Sequence, residues 1–197
     1  MRNDFAVLIL SHGRADRVYT IPTLRKGGYT GKIYIVVDNE DEQQDEYIAR
    51  YGKENVIVFD KLEAMKHSDT MDNYEKHNIV LYARNSCFEI AGRLGLSSFL
   101  ELDDDYTAFD FRFEKSGKLA AKRCTDRLFE AMLSFLYESD SLVVALSQGG
   151  DYIGGLNGKY FAKKLSRKAM NAFFCRVDRP FSFFGSINED VNMYVTL

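Results

Sequence analysis

The sequence predicts an α/β fold, a Rossmann-like three-layer sandwich with helices on both faces of a mostly parallel central sheet. Apolar runs of strand length, the first of them at 5–10, alternate with segments of helical periodicity through the first half of the chain. Such alternation is typical of parallel strands joined by crossover helices. The chain also has 46% hydrophobic and 28% charged residues, which are ordinary proportions for a globular domain.

The first half of the chain is predicted to contain four strands and three helices. We place the strands at 5–10, 32–37, 56–59 and 97–102. We place the helices at about 20–26, 42–51 and 74–94, with a polar loop over 60–72 before the last of them. Each helix is followed by a glycine, a residue that is common where helices end: Gly27, Gly52 and Gly95.

The second half is less regular but contains the same kinds of element. We predict strands at 106–113, 142–146 and 172–176, a hairpin turn at 116–117, and helices at 125–137 and 187–196. The glycine-rich stretch 148–158 is predicted to be a mobile loop. We see no linker or internal repeat, so we expect a single domain over residues 1–197.

Composition also bears on where the protein works. The three cysteines, Cys87, Cys124 and Cys175, are odd in number and far apart, which favours free thiols in a reducing cytoplasm. No apolar run approaches the roughly 20 residues of a membrane span, and residues 1–4 lead directly into a strand without a signal sequence. We therefore expect a cytoplasmic protein without membrane contact.

The net charge of −3 is distributed unevenly along the chain. Residues 1–111 carry 13 Lys and Arg against 20 Asp and Glu, whereas residues 112–179 carry 13 against seven. A basic half can bind a polyanion such as DNA, but a solvated basic surface explains the same pattern.

Polar residues follow three of the predicted strands at the points where those strands end. Ser11 follows the first strand, Asp38 the second, and three aspartates, Asp103, Asp104 and Asp105, the fourth. The carboxyl ends of parallel strands meet at one edge of a sheet, and ligands of open α/β sheets bind there. We therefore expect a binding site at this edge.

The three aspartates are candidates for a metal site. Adjacent carboxylates raise each other's pKa unless a cation compensates them, and Mn²⁺ or Mg²⁺ prefers such hard oxygen ligands. A metal held there could bridge two phosphates and neutralise a leaving diphosphate. An exposed acidic turn is the alternative, and the position of the triplet directly after a predicted buried strand favours the metal.

Five other residues could carry chemistry. Arg84, in the helix before the fourth strand, could bind a phosphate or pair with an aspartate, and Arg14, after the first strand, could hold a diphosphate or ribose. Asp38 could accept a hydrogen bond from a base N–H or cap the next helix. Glu189 and Asp190 open the last helix, where they could activate an acceptor hydroxyl or form a common acidic helix start.

Taken in order, these segments resemble the GT-A glycosyltransferases, and more closely the TET-associated glycosyltransferases of phages. The segments that carry the resemblance are 10–14 (LSHGR), 37–39 (VDN), 82–85 (YARN), 102–105 (LDDD) and 188–190 (NED). The resemblance implies a GT-A-type fold, with a nucleotide-sugar-binding half over 1–105 and an acceptor-binding half over 106–197.

The resemblance also implies an activity. The implied reaction is a metal-dependent, inverting transfer of a sugar from a UDP-sugar, with UDP-glucose as the expected donor. The implied acceptor is a 5-hydroxymethylpyrimidine in phage DNA, and no protein partner is implied. GT-A enzymes often carry a further metal ligand, commonly His, after the Glu-Asp helix, and residues 191–197 contain no His. Either the chain is short by nature or a C-terminal part is absent, and in the second case weak or lost activity is expected.

Carried over residue by residue, the resemblance assigns roles on both sides of the site. On the donor side Asp38 would contact uracil, Ser11 and Arg14 would line the nucleotide pocket, and Arg84 would face the diphosphate or donor sugar. Asp103 would hold the ribose or the metal and Asp105 the metal, and Asp104 could exchange roles with either. On the acceptor side Asp190 would be the general base, and Glu189 would support it or bind the acceptor.

Two other functions remain open. A nucleotidyltransferase that makes sugar nucleotides has a similar layered fold, but it carries a glycine-rich loop with a basic residue near the N-terminus, which residues 11–14 match poorly. A catalytically silent module that binds a nucleotide or DNA is the other, and the clustered carboxylates count against it.

Overall fold

The computed structural model describes residues 1–72, 77–115, 118–147 and 171–197. Its main sheet has six strands in the order β3-β2-β1-β4-β8-β7, and β5 and β6 form a separate hairpin. The strands are β1 Phe5–Leu10, β2 Lys32–Asp38, β3 Val56–Phe59, β4 Ser98–Asp103, β5 Phe111–Lys115, β6 Lys118–Lys122, β7 Val143–Ala145 and β8 Ala172–Arg176. The α-helices are α1 Thr20–Lys26, α2 Gln44–Tyr51, α3 Lys61–Lys66, α4 Leu81–Arg93, α5 Thr125–Glu138 and α6 Glu189–Thr196, and a short 3₁₀ helix covers Lys53–Asn55.

The predicted α/β architecture is confirmed. Strands β3, β2, β1 and β4 are mutually parallel, whereas β8 runs antiparallel to both β4 and β7. Alternate residues of β1, beginning with Phe5, pack in one apolar cluster with Phe129 and Leu133 of α5. The others, beginning with Ala6, pack in a second cluster with Ile90 of α4. Because successive side chains of a strand point to opposite faces, these two clusters form the two interfaces of a three-layer sandwich.

The polar loop predicted at 60–72 is wrong in its first part, because residues 61–66 form α3. The Asp60 side chain accepts a hydrogen bond from Glu63 N at 3.0 Å and thereby caps this helix. Asp followed three residues later by Glu is an N-capping pattern that the sequence already contained. Helix α4 in turn begins at Leu81 rather than at 74, and residues 77–80 are not helical.

The strand predicted at 106–113 is wrong in its first part too. Residues 106–110 form no strand, and β5 begins at Phe111. Phe109 turns inward instead and packs edge-on against Phe129 of α5, with ring centroids 5.9 Å apart. The predicted turn at 116–117 and the glycine-rich loop at 148–158 lie outside the described residues.

The fold also bears on three other predictions, which concern the membrane, the cysteines and the basic face. Within the described part of the chain, no helix is both long and apolar enough to cross a membrane. The three cysteines are free thiols. Most of the basic residues of the second half belong to stretches that lie outside the described side chains, so the predicted basic face stays a prediction.

Candidate active site

A cleft of about 420 Å³ opens at the carboxyl edge of the parallel strands. Eight of the nine predicted site residues line it: Ser11, Arg14, Asp38, Arg84, Asp103, Asp104, Asp105 and Glu189. The parallel register explains the convergence, since Leu10 of β1 pairs with Asp103 of β4 on one side and with Val36 of β2 on the other. The ends of three neighbouring strands therefore deliver their loops to one place.

Asp104 is the innermost of the three aspartates and is committed to contacts within the protein. It is buried, and it accepts hydrogen bonds from Ser11 Oγ at 2.6 Å and Arg14 Nη1 at 3.1 Å. Ser11 Oγ also lies 2.7 Å from the hydroxyl of Tyr47, whose pKa is raised by burial. These contacts join the loop after β1 to the turn after β4. Asp104 thus shapes the nucleotide side of the cleft through Ser11 and Arg14.

The backbone of the acidic turn is held by the start of α1. The Thr20 hydroxyl donates to the Asp103 carbonyl at 2.7 Å, and Thr20 N donates to the Asp104 carbonyl at 3.1 Å. The same hydroxyl accepts a hydrogen bond from Tyr106 N at 2.9 Å. Thr20 therefore fixes the direction in which the side chains of the triplet leave the sheet.

Asp103 and Asp105 differ from Asp104 in their exposure. Asp103 is half-buried and accepts hydrogen bonds from Arg84 Nη2 at 3.2 Å and Asn171 Nδ2 at 3.4 Å. Burial raises its pKa, and the positive charge of Arg84 opposes that rise. Asp105 is exposed and makes no hydrogen bond or ion pair with other described residues.

The donor set of this turn fits a divalent cation that is shared with substrate. Mg²⁺ is commonly held by only one or two protein carboxylates plus substrate phosphates. Asp103 and Asp105 can supply two carboxylates from a single turn. Among the described residues, no group of three or more His, Cys, Asp and Glu side chains is close enough to hold a metal on its own. The metal on Asp103 and Asp105 stays a prediction.

Arg84 lies at the floor of the cleft and is surrounded by carboxylates. It is 1% exposed. Its Nη1 donates to Glu101 at 2.5 Å, its Nη2 to Asp103, and its Nε to Glu189 at 3.1 Å. Glu101 is completely buried, and this burial raises its pKa to about 7 although Arg84 favours the charged form. Of the two readings that the sequence left open, the structure has Arg84 pairing with an aspartate.

Asp38 ends β2 between the side chains of His12 and Lys61. Its Oδ2 lies 2.8 Å from His12 Nδ1, and its Oδ1 lies 3.5 Å from the ammonium of Lys61. Lys61 is buried, and its Nζ also lies 3.4 Å from Glu40 and 3.3 Å from Asn78 Oδ1. Sequence reasoning missed Lys61 because it missed α3, whose first residue this is. The capping pattern at Asp60 marks Lys61 as the first residue of a helix after β3, and the pairing of Phe59 with Asp38 brings that helix start beside the end of β2.

Glu189 and Asp190 begin α6, as expected, but they occupy different positions. Glu189 faces the cleft and is held by Arg84. Asp190 is 1% exposed and is not among the described residues that line the cleft. The segment before α6 is fastened to α4, because Asn85 donates to the Phe183 carbonyl at 3.0 Å and accepts from Phe183 N at 2.8 Å.

The family of TET-associated glycosyltransferases matches residues 5–197, and this match includes every residue of the cleft. A search of curated proteins finds no match to the chain.

Proposed function

The chain belongs to the TET-associated glycosyltransferase family, and we propose that it moves a sugar from a UDP-sugar to a hydroxymethyl group on a pyrimidine of DNA. The observation that carries the proposal is the single cleft in which Asp38, the aspartates after β4 and Glu189 meet. A nucleotide, its diphosphate and an acceptor hydroxyl would all have to be bound in this one cleft.

On the donor side, Asp38 would accept a hydrogen bond from uracil N3–H, with His12 and Lys61 holding the carboxylate in place. Arg14, which is about half exposed in the cleft, would meet the diphosphate. Mn²⁺ or Mg²⁺ bound to Asp103 and Asp105 would neutralise the charge that develops on the departing UDP. UDP-glucose is the donor that we would try first.

On the acceptor side, we propose the Glu189–Asp190 pair as the source of the general base. Asp190 would take the proton of the acceptor hydroxyl, whose oxygen then bonds to the anomeric carbon while the bond to the β-phosphate oxygen breaks. Glu189, held by Arg84, would orient the hydroxyl. Glu189 is the alternative general base, because Glu189 lines the cleft whereas Asp190 is buried.

The DNA acceptor is supported by charge and by the family. The segment 112–179 carries 13 Lys and Arg against seven Asp and Glu, which suits a polyanion. 5-Hydroxymethylcytosine and 5-hydroxymethyluracil are the acceptors we propose, since both present a primary hydroxyl beside the base.

The test is release of UDP from UDP-glucose with Mn²⁺, with and without DNA that contains 5-hydroxymethylcytosine, followed by mass spectrometry of the nucleosides. DNA with 5-methylcytosine is the matched control, because it lacks only the attacking hydroxyl. A hexose on the hydroxymethylated base alone would support both reaction and acceptor. Release of UDP that is independent of the DNA would refute the acceptor, and no release with any UDP-sugar would refute the reaction.

A further inference from the structure

Arg84 is the most deeply buried charged group that lines the cleft, and its contacts come from two different elements of the fold, to which the proposed function gives different roles. Glu101 and Asp103 belong to β4, on the donor side, whereas Glu189 belongs to α6, on the acceptor side. Each of the three guanidinium nitrogens donates to a different carboxylate, so one rigid plane relates the three carboxylates to one another.

The surroundings of Arg84 argue against a role as a phosphate ligand. Each of its three guanidinium nitrogens already donates to a carboxylate, so a phosphate would have to compete with these ion pairs for the same donors. The rings of Phe173 and Phe183 lie 5.8 and 5.7 Å from the guanidinium and leave it little freedom to turn toward a ligand. Arg14 differs, because its side chain is half exposed and, within the described ranges, its guanidinium pairs with Asp104 alone.

We propose that Arg84 is a positioning residue, which holds Asp103 of the donor side and Glu189 of the acceptor side at a fixed separation and does not bind the diphosphate. Asn85 strengthens the arrangement from the next position of α4, because its two hydrogen bonds to Phe183 fasten the segment that leads into α6. Helix α4 thereby sets where the acidic start of α6 stands relative to the acidic turn after β4. This inference rests on the proposed function.

The role predicts a separation of binding from turnover. Arg84→Lys keeps the charge but cannot make three directed contacts, so Asp103 and Glu189 would shift relative to each other. A misplacement of about 1 Å can cost about 100-fold in rate, so we expect kcat at saturating Mn²⁺ and donor to fall by about that factor. The affinity for UDP, measured by titration calorimetry at saturating Mn²⁺, should change by less than about threefold, because no phosphate contact is lost.

Two further variants serve as references for the changes in kcat and UDP affinity of Arg84→Lys. Arg14→Ala should weaken UDP binding by about tenfold or more and weaken binding of UMP less, as loss of a diphosphate contact would. Arg93→Lys is the matched control, since Arg93 lies on the same helix, is mostly exposed and, among the residues that the structure describes, pairs only with Glu89 at 3.7 Å. It should leave UDP affinity and kcat unchanged.

Two more variants test the same role of Arg84, so that the conclusion does not depend on Arg84→Lys alone. Arg84→Ala leaves a space that opens to the cleft, so guanidinium ion added to this variant should raise kcat by about tenfold or more without changing UDP affinity. Glu101 pairs with Arg84 but is not among the residues that line the cleft. Glu101→Gln weakens this pair, so it should lower kcat and leave UDP affinity unchanged.

The outcomes separate this inference from the proposed function. Loss of UDP affinity in Arg84→Lys to the extent seen for Arg14→Ala would identify Arg84 as a phosphate ligand and overturn the inference. Unchanged kcat in both Arg84→Lys and Glu101→Gln would overturn it as well. Failure of the unaltered protein to bind UDP would overturn the proposed function instead, and this inference with it.

Discussion

Glu101 should make the stability of the metal-free protein depend on pH near neutrality. Its pKa in the folded state is raised from 4.5 to about 7, mainly by complete burial. Between these two values the folded state holds a proton that the unfolded state has released, so stability falls as pH rises from about 4.5 to about 7. The difference corresponds to about 3 kcal/mol, at about 1.4 kcal/mol for each pKa unit.

Glu101→Gln isolates this contribution, because glutamine has nearly the same shape and does not titrate. Urea unfolding of both proteins, with a chelator present, should show the unaltered protein losing about 3 kcal/mol relative to Glu101→Gln between about pH 4.5 and about pH 7. Glu89→Gln is the matched control, since Glu89 is an exposed carboxylate on α4 and should give a constant difference. A difference for Glu101→Gln that does not vary over this range would mean that Arg84 keeps Glu101 ionised throughout, which would refute the reasoning.

Three further predictions concern the cleft. Asp105→Asn should raise the Mn²⁺ concentration needed for half-maximal turnover by about tenfold or more, and a dependence equal to that of the unaltered protein would remove Asp105 from the metal site. Asp190→Asn should lower kcat by about 100-fold or more and leave UDP affinity unchanged. If Asp190→Asn instead has normal kcat and Glu189→Gln loses about 100-fold in kcat, then Glu189 is the general base. Lys61→Met should cost about 3 kcal/mol in urea unfolding, because it leaves Asp38 and Glu40 without a buried cation, and a cost below about 1 kcal/mol would show that His12 suffices.

Much of the sheet could be predicted because its signals are local. The run Phe5–Leu10 is apolar at every position, as a strand covered on both faces requires, and in the structure all six residues are buried. Asp38 and the aspartates after β4 were expected at one edge of the sheet because parallel strands bring their carboxyl ends together. The structure confirms that arrangement.

The two errors in secondary structure had opposite causes. The apolar and aromatic residues of 106–110 favoured a strand, but Phe109 finds its place against Phe129 of α5, and the chain there follows that contact. Helix α3 does have a local signal, because its capping residue Asp60 stands three residues before Glu63, but the polar composition of 60–72 favoured a loop.

By itself the sequence determined the α/β class, the edge of the sheet that carries the site, and eight of the residues that line the cleft. These follow from strand and helix periodicity and from residues placed at strand ends, which are properties of neighbouring positions in the chain. Only the tertiary structure decided what each charge does. Arg84 and Glu189 are 105 positions apart, and Lys61 and Asp38 are 23 apart, yet in each pair a buried cation contacts a carboxylate. The energy of a charge depends on its burial and on its nearest partners, and folding alone brings those partners together.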